Sequence, residues 1–208
     1  MRPVPKPSRR KLGSDIFVVR FATQYALAST FLRIQEHYES SHFRSRVFSL
    51  EEFMDWYAAK FGAFTYLQDW SGFNVPSTAL KPFYEGKFDP LSRKEQALLR
   101  MFKRERGPFY IIGLSRKADL THELAHALFF TRPAYRKAVL SELGKWDTSA
   151  IARHLAKLGY HKAVLTDEVH AYLVSAGDAA GMSVTRFAVL RRALRQLFRA
   201  HSKGLPRI

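Results

Sequence analysis

From Gln24 to Tyr38 the apolar residues Ala26, Leu27, Phe31 and Ile34 recur at helical spacing, and Leu50 to Phe61 repeats this with Phe53, Met54, Trp56 and Tyr57. Both stretches predict helices. Ile16-Phe17-Val18-Val19-Arg20-Phe21 and Phe109-Tyr110-Ile111-Ile112-Gly113-Leu114 are instead short, nearly unbroken apolar runs beside turn residues, and they read as buried strands. A short helix is predicted from Ser92 to Lys103. Another begins between Ser115 and Asp119, either of which can cap it, and stops before Pro133, where the missing donor and the ring clash end propagation. Further helices are predicted over 133–143, from the cap Asp147 to Leu158 with Gly159 as stop, over 162–175 ending near Gly177, and over 183–200.

The segments between these elements complete the plan. Met1 to Ser14, with three prolines and five cations, reads as a flexible basic tail. Residues 62–91 mix Gly62, Gly72, Pro76, Pro82, Gly86 and Pro90 with many aromatics, which predicts an ordered irregular segment. Four regions follow: the tail at 1–14, an aromatic-rich α+β region at 15–103, a third region at 104–180 with a strand and several helices, and a basic helix and tail at 181–208. A mixed first half, one strand and then mostly helices predict an α+β fold, largely helical with a small sheet.

The chain has 208 residues, enough to bury its own core, and it carries a formal charge of +16. Residues 1–12 hold five Lys/Arg and residues 179–208 hold seven, neither with any Asp or Glu, so twelve of the sixteen excess charges lie at the ends. These ends are candidate contacts for the phosphates of nucleic acid, or a solvated basic face. No apolar run approaches the roughly 20 residues of a membrane span and no signal-type apolar core is present, so the expected location is cytoplasmic, with no membrane partner. The chain has no cysteine. Any metal must therefore be held by His, Asp or Glu.

His122-Glu123-Leu124-Ala125-His126 supplies such a set. Residues four apart share a helical face, so His122 and His126 can offer nitrogens to one ion while Glu123 lies beside it. With 8 His in the chain, chance would give this pattern about 0.015 times. Zn2+ suits it: a catalytic zinc takes three protein ligands and one water, whose pKa it lowers, and Glu123 would take the proton. The third ligand is expected from Thr166-Asp167-Glu168-Val169-His170-Ala171-Tyr172. Glu168 shares a mostly apolar face with Leu165, Ala171 and Tyr172, where metal coordination would offset the cost of a buried charge. Asp167 and His170 are its competitors.

A strand, a His-Glu-x-x-His helix and a later helix with Glu resemble the gluzincin branch of the zinc metallopeptidases, over about residues 109–175. The resemblance implies a zincin-like core, zinc on His122, His126 and Glu168, Glu123 as base, and a peptide added as an extra strand along Tyr110, Ile111, Ile112 and Gly113. Thermolysin-like members carry Asp four residues after the glutamate ligand, where this chain has Tyr172. The lethal-factor-like peptidases place a tyrosine seven residues before it to support the oxyanion. His161 stands there with Tyr160 beside it, so either is a candidate for that role.

Asp69-Trp70-Ser71-Gly72-Phe73-Asn74 can line a substrate cleft. Glu36, His37, Glu39 and His42 lack a clean two-histidine helical pair and read as surface. The last helix sets Phe187, Leu190, Leu194 and Leu197 against Arg192, Arg195 and Arg199, which predicts one packed and one cationic face. The expected activity is a zinc-dependent metallohydrolase acting on peptide bonds. Its rival is a nucleic-acid-associated protein with a structural or inactive metal site, or a peptidase recruited to nucleic acid.

Overall fold

The computed structural model describes residues 6–115, 119–175 and 178–205. The chain is α+β. Its first half runs β1 (Ser8–Leu12), β2 (Ile16–Arg20), α1 (Gln24–Glu39), α2 (Leu50–Phe61), α3 (Tyr66–Asp69), β3 (Gly72–Pro76), α4 (Lys81–Tyr84) and α5 (Arg93–Phe102). The second runs β4 (Tyr110–Leu114), α6 (Leu120–Thr131), α7 (Pro133–Leu143), α8 (Ser149–Leu158), α9 (Leu165–Val174) and α10 (Ala188–Ser202). The cap calls at Ser115 and Gly177 divide: Asp119 is the cap of α6, while Gly177 lies outside the described residues.

The four strands form one sheet in the order β1-β2-β4-β3. β4 runs parallel to β2 and antiparallel to β3, and β1 is antiparallel to β2. A strand from the second half of the chain is thus inserted between two from the first. Both faces of the sheet are covered, which is why β2 and β4 read as continuous apolar runs. Side chains alternate between the two faces. Phe17, Val19, Phe73, Val75 and Ile111 enter one core with α1, α2 and α5. Ile16, Val18, Tyr110, Ile112 and Leu114 enter the other with α6, α7, α9 and α10.

Two expectations change here. Residues 8–12, read as part of a flexible tail, form β1: the open edge of β2 offers them a ladder, and Leu12 is fully buried. The Arg9 guanidinium lies 4.4 Å from the Phe17 ring centre and pairs with Glu105, so the cations on this strand cover aromatic surface. The strand 110–114 is not free to take a substrate. It is paired along both edges and all five of its residues are buried, so Tyr110, Ile111, Ile112 and Gly113 are core positions.

The aromatic segment before α5 is tied down by a buried ion pair. Arg33 Nε and Nη2 each donate to Glu95 at 2.7 Å, and the guanidinium also donates to the carbonyls of Phe88 and Pro90 at 3.0 and 3.3 Å. Glu95 is itself the third residue of a capping box with Ser92. At the other end of the chain, Arg195 donates to the carbonyls of Val174 and Ser175 at 2.9 and 2.6 Å, holding the C-terminus of α9. Arg195 is therefore used within the fold, whereas Arg192 and Arg199 are exposed. No helix among the described residues is long and apolar enough to cross a membrane.

Gly113 lets α1 close on the sheet: a Cβ there would sit 2.7 Å from Phe31 and 2.8 Å from Leu27, both fully buried. Gly113→Ala should lower stability by about 1–3 kcal/mol through overpacking. Urea unfolding checks this, and unchanged stability would mean that α1 can back away.

Candidate metal centre

Asp119 caps α6 by accepting from the Thr121 amide at 2.8 Å, and the helix ends where Arg132 precedes Pro133. Within it, His122, Glu123 and His126 project toward α9 and β3. α9 packs against α6 and brings Glu168 to the two imidazoles. Glu168 Oε1 lies 3.6 Å from His126 Nε2 and Oε2 lies 3.9 Å from His122 Nε2, while the two Nε2 atoms are 3.2 Å apart. Tetrahedral zinc with bonds near 2.1 Å would space its ligands by about 3.4 Å. The three side chains can therefore hold a metal ion. Glu168 Oε2 is buried and has no hydrogen-bond partner among the described residues, the condition of an acceptor that suits a cation.

Asp167 and His170 stand behind this group. Asp167 Oδ2 faces His126 Nδ1 at 2.9 Å, which fixes the proton on Nδ1 and turns the Nε2 lone pair toward Glu168. Asp167 Oδ1 lies 3.4 Å from His170 Nδ1, and His170 Nε2 meets the Tyr135 hydroxyl at 2.7 Å. His170 is fully buried and stacked on Phe129. The two alternative candidates thus stand behind Glu168, one residue before it and two after. This also answers the position where Tyr172 replaces a carboxylate: the Tyr172 ring packs 4.6 Å from that of His122, and Asp167 supplies the charge to His126 instead.

Electrostatics follow the geometry. Burial works against a charged His126, but Asp167 and Glu168 outweigh it and raise its pKa to about 10. His126 in turn draws the Asp167 carboxyl down to about 2 against the opposing effect of burial. Burial raises Glu168. A divalent cation among the three would keep both imidazoles neutral and Glu168 ionised.

Glu123 is held from the sheet. Its Oε2 accepts from Asn74 Nδ2 at 2.8 Å, Asn74 Oδ1 accepts from the Tyr110 hydroxyl at 2.5 Å, and the Asn74 amide donates to Gln35 Oε1 at 3.2 Å. Burial pushes the Glu123 carboxyl up to about 7. A Cβ on Gly72 would fall 2.2 Å from Glu123 Oε1, so only glycine lets β3 approach this closely. Tyr110 therefore reaches the site through Asn74.

These groups open on a cavity of about 470 Å³. All of Asp69-Trp70-Ser71-Gly72-Phe73-Asn74 line it, as expected of a cleft. Tyr160 lines it too, its hydroxyl 3.4 Å from that of Tyr172, and burial followed by the charge of Glu168 keeps both phenols protonated. His161 does not line it; its amide donates to the Glu39 carbonyl and its Nδ1 accepts from Ala163, which turns the ring outward. Of the two oxyanion candidates, the structure puts only Tyr160 on the cavity.

The reading of Glu36, His37, Glu39 and His42 as surface is half overturned. His37 and His42 contact Arg46, but Glu36 and Glu39 line the cavity opposite α6. Leu32, Gln35, Glu36 and Glu39 form one stripe of α1, and a polar patch on a helix otherwise so apolar was the available signal. The sequence put Asn74 on the cleft and Tyr172 on the face of Glu168, but their contacts with Glu123 and His122 left no local signal. Comparison with known proteins adds nothing to the geometry: no family model, curated protein or solved structure matches the chain.

Two outcomes follow. Asp167→Asn should weaken metal affinity by roughly 10- to 100-fold, measured by competition with a chelating dye, because His126 loses its orienting charge; unchanged affinity would show that the contact orients nothing. Burial, its largest influence, raises the Glu36 carboxyl from 4.5 to about 7, so between those values the folded chain keeps a proton that the unfolded chain has lost. That contribution destabilises the fold progressively as pH rises through the window. Glu36→Gln should therefore gain stability over the wild type from pH 4.5 to 7, with a flat difference above. A difference that does not vary with pH would refute it.

Proposed function

We propose that this chain is a zinc-dependent peptidase with a zincin-like core. The observation that carries the reading is the convergence of His122, His126 and Glu168, with an unpartnered oxygen on Glu168, beside a buried Glu123 and an open cavity. Zinc bound there would polarise a substrate carbonyl and lower the pKa of a bound water.

The chain's own groups supply the remaining steps. Glu123, held by Asn74 and with a pKa raised by burial to about 7, takes a proton from water and later returns it to the leaving amine. Its environment suits both duties, since the carboxyl titrates near neutral pH. Tyr160 and Tyr172 keep their O–H donors and stabilise the charge that develops on the carbonyl oxygen. An extended substrate joins the sheet at β3, the edge strand that borders the cavity, because β4 is paired on both sides. Along β3 the Asn74 amide is already taken by Gln35, which confines the backbone contacts to the Gly72 end.

Elemental mass spectrometry of protein purified without added metal tests the site. Near-stoichiometric zinc is expected in the wild type and its loss in His122→Ala, His126→Ala and Glu168→Ala. Glu123→Gln should keep the metal and lose about 10²- to 10⁴-fold in hydrolysis of quenched-fluorescence peptides. Folded wild type that takes up no zinc on titration would overturn the proposal.

A further inference from the structure

The charge of the molecule is divided in a way that the peptidase reading does not require. The chain carries +16, yet among the described residues the cavity is lined by seven carboxylates and by no lysine or arginine. Glu123 and Glu168 belong to the metal centre. Glu36 and Glu39 do not, and they sit one turn apart on the same face of α1, across the cavity from α6. Glu39 lines the same cavity as Glu168. Glu36 lies one turn further along, beside Tyr66 and Ser40.

Carboxylates in such a place carry a cost unless something positive meets them. Lys60 acts on Glu36, but it is exposed, with its ammonium 4.9 Å from the Trp56 ring and 5.1 Å from the Phe61 ring, both of which line the cavity. The wall beside the two glutamates is aromatic, including Tyr57, Tyr66 and Trp70. Aromatic faces next to carboxylates suit an alkyl stem that ends in an ammonium or guanidinium. Glu168 Oε2 is taken up by the metal centre, but a buried donor on the cavity wall, Trp70 Nε1, has no partner among the described residues. It calls for an acceptor such as a substrate peptide carbonyl in the same cavity as the acidic pair.

We propose that Glu36 and Glu39, with the aromatic wall of α2 and α3, form a subsite for a positively charged group of the substrate next to the scissile bond. This rests on the peptidase reading and narrows its substrate to cationic peptide segments. The positive group can be a Lys or Arg side chain or a free α-amine, since both present the same ammonium-type donors. A site with like charge across from a basic surface also rejects acidic segments, which the exposed cations would otherwise attract.

The test is binding rather than turnover, on the zinc-loaded full chain with Glu123→Gln to prevent cleavage. Tryptophan fluorescence, which Trp56 and Trp70 report, is titrated with blocked pentapeptides Ac-Ala-Ala-X-Ala-Ala-NH2 where X is Lys, Arg, Leu or Glu. An unblocked Leu-Ala-Ala-NH2 supplies the free amine. One positive probe, Lys, Arg or the free amine, should bind about tenfold or more tighter than the Leu pentapeptide, as expected for a hydrogen-bonded charge. Which probe wins identifies the source of the charge. In Glu36→Gln and Glu39→Gln, each checked for retained zinc, that ratio should collapse toward one. Equal binding of all peptides, preference for Glu, or a ratio unmoved by both substitutions would overturn the subsite and leave the metal centre standing. No binding of any peptide to zinc-loaded protein would overturn the subsite and the peptidase reading together.

Discussion

The contact between Asp167 and His126 is the one on which the site depends, because it joins the two helices that carry the candidate metal ligands and decides which nitrogen of His126 faces inward. Asp167 is anchored from behind by His170, and His170 by Tyr135 of α7. A buried polar chain therefore runs from α7 through α9 to α6, each member satisfied by the next. It stops at Glu168, whose remaining oxygen has no such partner. Rigidity behind the ligands and an unmet demand in front of them are two ends of one network.

The metal motif and its helix were legible because their signals are local. Asp119, Pro133 and the four-residue spacing of the histidines lie within a few turns, and Glu168 was found by asking where a carboxylate falls on an apolar face. β1 and β3 were missed for a different reason. Gly72-Phe73-Asn74-Val75-Pro76 has little intrinsic strand preference, and its conformation comes from pairing with β4, 38 residues away between Asn74 and Ile112. The central position of β4 was equally invisible, since an apolar run shows that a strand is buried but not whether both of its edges are paired. Glu36 and Glu39 were set aside because they lacked metal-ligand spacing, whereas the cavity that they line is completed by other helices.

Charge shows the same division between local and global order. Counting along the sequence gives a basic chain with basic ends, and the fold turns part of that excess inward on itself, with Arg9 over Phe17 and Arg195 on the end of α9. What lines the cavity is the opposite sign. Neither composition nor any single motif contains this, because it arises from which faces of α1, α6 and α9 are turned toward one another.

The insertion of β4 between β2 and β3 has a consequence in time. The parallel neighbours Ile16 and Tyr110 are separated by most of the first half of the chain, so closing the sheet costs more loop entropy than any hairpin. During synthesis, the first hundred residues emerge with a gap where the central strand belongs. Asn74 gains its place in β3 only when that strand arrives, together with the Tyr110 hydroxyl that steadies it, and the glutamate that Asn74 holds follows. The nascent chain thus completes its sheet and the surroundings of Glu123 in the same late step.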